Sequence, residues 1–300
     1  MHRFWTAVVE PLLQRLEPAV IVEIGSDRAD NTRRLVGFCQ QHQAVLHAID
    51  PAPQFDAAAW QRAYAGVFVF HHGLSLEALP RVGAMDAVLI DGDHNWYTVF
   101  NELRTIEALS ARHGRLFPLV FLHDTGWPYG RRDLYYDPAT VPAGARQVYR
   151  RAGMPLDSPG LLNRQGLNPH LYNAVSEGGA HNGVLTAIDE YMSASGLQLE
   201  FSQVPGFHGL GILASRERLA NHPALAARLA KIDAAWARAA PIRALEKTRL
   251  ALEIRVIALE DRARTNGHAR GLARLQARAA RLNLKLVARQ LSRAIHQLCA

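Results

Sequence analysis

Met85-Asp-Ala-Val-Leu-Ile-Asp-Gly-Asp-His94 is the stretch whose reading decides the fold. Ala87, Val88, Leu89 and Ile90 form a short apolar run, partly β-branched, the pattern of a parallel strand covered on both faces. Asp91, Gly92, Asp93 and His94 then arrive together. In open α/β sheets, ligands sit just outside the carboxyl ends of the strands. Two carboxylates and an imidazole at such an edge are costly to bury without partners. They read either as a solvated loop in which Asp93 caps the next helix, or as part of a site. Leu119-Val-Phe-Leu-His-Asp124 ends a second apolar run in the same residue types. Together the two strands predict one crevice shared by His94, His123, Asp91 and Asp124.

Upstream, residues 3–16 have helical spacing and end near Pro18. Val20-Ile-Val-Glu-Ile-Gly25 is the first core strand. The turn Gly25-Ser-Asp-Arg-Ala-Asp-Asn-Thr32 and a helix to about Gln41 follow, making an anion- or nucleotide-binding corner. Only Gly25 stands where a dinucleotide fingerprint has three glycines, which argues against a pyrophosphate there. Ala44-Val-Leu-His-Ala-Ile-Asp50 is the second strand. Asp50 lies 25 residues after Gly25, the place for an acid that accepts hydrogen bonds from ribose hydroxyls; its plainer role is a turn residue before Pro51. Val67-Phe-Val-Phe70 is the third strand, with His71-His-Gly-Leu-Ser75 as its exit loop. His71 and His72 are neighbours in sequence, and strand neighbours point to opposite faces, so they are not read as a metal pair.

Downstream of the two acidic strand tips, a helix is expected from about Trp96 to Ala111 and another over about 182–195. Between them, residues 125–180 lack clean periodicity and are rich in Gly, Pro, Tyr and Arg. A long irregular insertion beside a strand-tip site reads as a lid or substrate loop. Leu197-Gln-Leu-Glu-Phe-Ser-Gln-Val204 and Gly209-Leu-Gly-Ile-Leu213, joined by a short turn, must pair antiparallel. The fold class expected is therefore α/β: a Rossmann-like seven-stranded, mostly parallel sheet with an antiparallel terminal hairpin, over residues 1–220, with a helical extension over 221–300.

In that extension Leu245, Leu252 and Leu259 repeat every seven residues, with Ile242 and Val256 as companions. This is a coiled-coil seam that predicts a homo-oligomer or a partner helix through 242–260. Asn266, Gly267 and Gly271 interrupt it. Arg270, Arg274, Arg278, Arg281, Lys285, Arg289 and Arg293 then form a basic stripe beside Leu272, Leu275, Leu282 and Leu286. The stripe reads as a solvated face or as a surface for an anionic membrane. It is interleaved with leucine rather than with stacking aromatics, which argues against nucleic acid.

Charge follows the same division. Residues 241–300 hold thirteen Lys/Arg and four Asp/Glu, so the net charge of +7 belongs to the extension. Cys39 and Cys299 are the two cysteines, too few for a disulfide framework or a cysteine zinc site. That fits a cytoplasmic protein, peripheral to an inner membrane if the stripe binds one. No run approaches the roughly 18 apolar residues of a membrane span.

Val22-Glu-Ile-Gly25, Asp50, Val88-Leu-Ile-Asp-Gly-Asp-His94 and Phe121-Leu-His-Asp124 together resemble the class I S-adenosylmethionine-dependent methyltransferases. The likeness is to the small-molecule and sugar O-methyltransferases with an IDGDH motif, and it covers roughly residues 15–215. It implies that Glu23, Gly25 and Ser26 hold the methionine moiety and backbone of S-adenosylmethionine, that Asp50 binds its ribose, that Ser75 borders its adenine, and that Asp91 also contacts the cofactor. In metal-dependent relatives the first acid of the motif and two residues after the fifth strand bind a divalent cation. Here those positions are Asp91, His123 and Asp124. The family often has an acid or amide at the position of His123, so imidazole shifts the preference from magnesium toward manganese or no metal. His94, three residues after Asp91, stands where similar enzymes place a base. The resemblance thus implies O-methylation of a sugar, as in polysaccharide biosynthesis, with natural-product O-methylation or a silent scaffold working through its coiled coil as alternatives.

Overall fold

The computed structural model describes residues 1–236, 238–265 and 270–299. Asn266 and Gly267, expected to break the helical extension, lie outside the described residues, as does the side chain of Arg270. Five parallel strands, β1 (Val20–Ile24), β2 (Val45–Asp50), β3 (Phe68–His72), β4 (Ala87–Ile90) and β5 (Leu119–His123), carry the core. Helices α1 (Glu10–Leu16), α2 (Thr32–His42), α3 (Ala57–Ala63), α4 (Ser75–Ala78) and α5 (Trp96–Arg112) precede or connect them. An insertion holds the short strands β6 (Leu134–Tyr135), β7 (Tyr149–Arg151) and β8 (Tyr172–Ala174). Then come α6 (Val184–Ala194), the hairpin β9 (Leu199–Val204) and β10 (Leu210–Ser215), and α7 (Arg216–Asn221), α8 (Pro223–Trp236), α9 (Ala240–Thr265) and α10 (Arg270–Cys299).

The main sheet runs β3-β2-β1-β4-β5-β10-β9, with β10 antiparallel to both neighbours. This is the Rossmann-like, mostly parallel α/β sheet with a terminal hairpin that the apolar runs predict. The chain moves outward from β1 to β3, then crosses back to lay β4 on the other side of β1. That reversal opens a crevice between β1 and β4. Register places the tips level: Ile24 pairs with Ile49 and Ile90, and Ile90 with Leu122. Gly25, Asp50, Asp91 and His123 each follow one of these residues, so they share one edge.

Alternation along the strands divides the core into two faces. Ile21, Leu46, Leu89 and Phe121 pack with Phe4, Leu12, Leu35, Leu229, Leu291 and Ile295. Val22, Ile49, Val88 and Val120 pack with Leu103, Ile106, Ile188 and Tyr191. α5 starts where Asn95, in an extended conformation, accepts the Thr98 N–H at 2.9 Å. Asn95, not Asp93, is therefore the cap; Asp93 instead accepts the Thr98 hydroxyl at 3.2 Å. Val99, Leu103 and Ile106 then recur at helical spacing toward the sheet.

The insertion is built rather than loose. β8 lies between β6 and β7 in a three-stranded antiparallel sheet. The carboxylate of buried Asp133 accepts the Trp96 and Gly183 N–H groups, each at 2.7 Å, and the Tyr135 hydroxyl at 2.7 Å. Fully buried Arg132 donates to the carbonyls of Ala174, Val175 and Pro159. The pair thus clamps the insertion to the start of α5.

The extension folds back on the body. Leu225, Leu229 and Ile232 of α8, with Leu291, Ile295 and Cys299 of α10, belong to the same buried cluster as α1 and β1. Each fully buried Leu or Ile contributes about 1.5–3 kcal/mol. Four of the five heptad positions expected to meet a partner are met from within. Ile242 and Leu245 join that cluster, and Val256 and Leu259 pack on Ala277, Ala280 and Leu284 of α10. The large apolar side chains left exposed on the extension are Leu272, Leu275, Leu282 and Leu286 of α10. No helix among the described residues is long and apolar enough to cross a membrane.

Candidate active site

Gly25 makes the crevice. Its φ is +86°, and a Cβ there would lie 2.3 Å from the Asp91 carbonyl oxygen, so no side chain fits where the tips of β1 and β4 approach. A cavity of about 780 Å³ opens above them, lined by Gly25, Asp50, Ser75, Asp91, Asp93 and Tyr136 among others. Four of the six residues expected to hold a cofactor therefore face one cavity. Glu23 and Ser26 lie buried behind its wall.

Asp50 shapes that wall. One oxygen accepts the Ser26 and Asp27 N–H groups, both at 2.8 Å, and the Ser26 hydroxyl at 3.2 Å; the other accepts the Ala52 N–H at 2.7 Å. Glu23 accepts from the Asn31 amide at 2.9 Å through one oxygen, while its other oxygen is buried without a partner. Burial pushes the Glu23 carboxyl up to about 7. Glu102 of α5 is fully buried beneath Ser75, and burial pushes its carboxyl up to about 8. Sequence reading overlooked it because one acid inside an amphipathic helix carries no spacing signal.

Asp91, His94, His123 and Asp124 do converge. His123 Nδ1 is 2.6 Å from Asp124 and 3.2 Å from Asp91, and His94 Nε2 is 3.3 Å from Asp124 and 3.6 Å from Asp91. The ammonium of Met1 stands 2.7 Å from the second Asp91 oxygen. Asp124 has a φ of +59°, a left-handed conformation that Asp tolerates and that turns its carboxylate back toward the histidines. Burial works against every charge here, but mutual attraction wins. Both carboxylates lie well below the usual range because the imidazoles face them, helped at Asp91 by the ammonium. Burial alone would lower His123, yet Asp91 and Asp124 raise it to about 9; burial also opposes the charged form of His94, but Asp124 and Asp91 raise it. His94 is packed beside Tyr129, with centroids 5.8 Å apart and planes at 14°, and beside Tyr136 at 5.9 Å. Sequence reading missed both rings, since the insertion gives no register against the strand tips.

One ligand atom each from Asp91, His123 and Asp124 lies within 4.8 Å of the others. An imidazole nitrogen and two carboxylate oxygens make a donor set that a divalent cation of intermediate softness accepts. His71, by contrast, pairs with His47 at 2.9 Å, far along the sheet from this cluster.

Residues 22–125, roughly a third of the chain, match a family model described as a methyltransferase domain. No curated protein matches the chain. Among solved structures, it is similar to an S-adenosylhomocysteine-bound methyltransferase of Podospora anserina, at 14% identity over 69% of this chain and 76% of that one, with a TM-score of 0.43. It is also similar to the 1,6-didemethyltoxoflavin N1-methyltransferase of Burkholderia thailandensis with 1,6-didemethyltoxoflavin and S-adenosylhomocysteine bound, at 15% identity over 71% and 77% of the two chains, with a TM-score of 0.42.

Proposed function

We propose that this chain is an S-adenosylmethionine-dependent O-methyltransferase acting on a hydroxyl of a sugar or glycan. The observation that carries this reading is the cavity at the β1–β4 reversal, where Gly25, Asp50, Ser75 and Asp91 meet beside a His/Asp cluster. The fit to the cofactor is physical. The glycine cradle admits a group that a Cβ would exclude, and the unpaired Glu23 oxygen offers an acceptor behind the turn. Asp50 holds the turn and lines the cavity as the ribose-side acid; Ser75 borders the adenine side.

The reaction needs an acceptor oxygen in line with the sulfonium methyl. The carbon–sulfur bond breaks with its electron pair left on sulfur, the oxygen–carbon bond forms, and the hydroxyl proton must leave. His94 receives that proton in its neutral form, which the raised pKa confines to higher pH, and the flanking Asp124 and Asp91 carboxylates stabilise the imidazolium that results. Asp91, His123 and Asp124 would hold a divalent cation, manganese more readily than magnesium; when bound, it supplies Lewis-acid activation of the hydroxyl. Tyr136, exposed and lining the cavity, offers a ring against which a sugar face stacks.

The exposed Leu272, Leu275, Leu282 and Leu286, beside Arg274 and Arg278, are the outward surface of the extension. We assign to it the contact with a second copy or an anionic lipid surface that the basic stripe suggests. Titration calorimetry with S-adenosylhomocysteine tests the cofactor, and product mass with a panel of hydroxylated sugars tests the acceptor. Absence of S-adenosylhomocysteine binding to the intact chain would sink the reading.

A further inference from the structure

A second cavity, of about 550 Å³, lies on the other side of the His/Asp cluster from the first. His123, Arg3, Phe207, Arg249 and, from α10, Lys285 and Arg289 line it, together with the Glu253 carboxylate. The two cavities meet at Asp91, which lines the first; His123 and the Met1 ammonium, both lining the second, stand 3.2 and 2.7 Å from it.

The charges lining this second space are not alike. Arg249 is buried and neutralised, with Glu246 at 2.7 Å and Glu253 at 2.6 Å. Arg3, Lys285 and Arg289 have no carboxylate partner among the described residues. The strap above them is unusual. Phe207 and His208 both have positive φ, at +45° and +70°, a costly backbone for two consecutive non-glycine residues. It is held open by bonds that fix the cavity wall: the His208 N–H donates to Glu246 at 3.0 Å, and its ring meets the Trp127 carbonyl at 3.1 Å and Arg249 at 3.1 Å. Arg3 and Arg249 both lie over the Phe207 ring, at 5.5 and 5.7 Å.

Methyl transfer requires the acceptor to approach from the side opposite the departing sulfur. With the cofactor in the first cavity, the second is the approach that reaches the same carboxylates from beyond them. We propose that this cavity is the acceptor subsite, and that it selects acceptors bearing a phosphate or diphosphate group, held by Arg3, Lys285 and Arg289. The inference rests on the methyltransferase reading for its direction of approach, but the anion site stands on its own residues. It also gives the extension a task in the site: α10 supplies two of the three cations.

The test uses the full chain and inorganic pyrophosphate as the probe, titrated by calorimetry with and without saturating S-adenosylhomocysteine. Pyrophosphate is expected to bind. Lys285→Gln with Arg289→Gln should weaken it by about tenfold or more, and Arg274→Gln with Arg278→Gln, on the same helix outside the cavity, by less than about twofold. S-adenosylhomocysteine affinity should be the same in all three proteins. Equal losses in both pairs would mean diffuse charge and overturn the proposal, as would no pyrophosphate binding by a chain that binds S-adenosylhomocysteine. Failure of S-adenosylhomocysteine alone would instead remove the methyltransferase reading and leave the anion site standing. Vesicles of phosphatidylcholine with phosphatidylglycerol identify the source of the phosphate: release by pyrophosphate assigns it to a lipid-linked acceptor, and indifference to pyrophosphate to a soluble one.

Discussion

Asp50 and Asp91 stand at the tips of β2 and β4, the two strands that flank β1, at the same level, and they are used in opposite ways. The hydrogen bonds the Asp50 carboxylate accepts come from the turns after β1 and β2: Ser26, Asp27 and Ala52. Asp91 instead faces groups that carry charge: His94 three residues on, His123 at the end of β5 and the Met1 ammonium. The first acid is spent on backbone architecture, whereas the second is held ionised by cations that gather around it. An acid at a strand tip thus tells where a site is. What the acid does depends on whether neutral N–H groups or charged side chains reach it.

The contrast predicts different failures. Asp91→Asn leaves the crevice shape but removes the charge that orients both histidines. Turnover is expected to fall by about a thousandfold, the scale of losing a preorganised electrostatic partner, while S-adenosylhomocysteine affinity changes by less than about threefold. A protein that loses affinity and turnover equally would place Asp91 in the cofactor's grip instead. Asp50→Ala should do the reverse. It frees the Ser26–Asp27 turn, so affinity is expected to drop by about ten- to a hundredfold and stability by about 2–4 kcal/mol, from several lost hydrogen bonds at about 1 kcal/mol each. Calorimetry and urea melts read the two quantities separately.

Glu102 sharpens the comparison, because neither N–H groups nor cations reach it. Its ordinary value of 4.5 is raised to about 8 by burial. The folded chain therefore keeps a proton that the unfolded chain releases above about 4.5. Between these values the native state binds more protons, so stability falls as pH rises and levels off above about 8. Glu102→Gln is expected to match the parent near pH 4 and exceed it by about 1–3 kcal/mol at pH 8, measured by denaturant melts at both pH values. A parent whose stability is flat from pH 5 to 8 would show that the carboxyl finds a partner in solution. Smallest of all, vesicle binding through Arg274 and Arg278 should fade as salt rises past about 0.1 M, where exposed charges are screened beyond about 10 Å.

The sheet was legible because strands covered on both faces spell themselves out as apolar runs, and because Gly25, Asp50, Asp91 and the His123-Asp124 pair punctuate them. The convergence of His94, His123, Asp91 and Asp124 followed from that alone, since register in a parallel sheet levels the tips. The insertion was not legible. Strands of two or three residues such as Leu134–Tyr135 are too short to show a period, and the Arg132–Asp133 clamp works through backbone groups that have no sequence signature. Nor does a heptad repeat say whose helix answers it: Val256 and Leu259 look the same facing Ala277 and Ala280 of their own chain as they would facing another. The second cavity stayed hidden for the same reason, because its walls come from both ends of the described sequence.

α10 has a consequence for the order of events on the ribosome. Leu291, Ile295 and Cys299 are made long after Leu12, Ile21 and Leu46, with which they share one buried cluster. Until they emerge, one face of the sheet has no complete roof, and such distant contacts are slow to form. A nascent chain that has finished its parallel strands still shows apolar surface, a state in which chains associate wrongly or are held by chaperones. The helix that closes the core also lines the cavity beside His123, so a chain stalled before α10 can neither hide its core nor complete that wall.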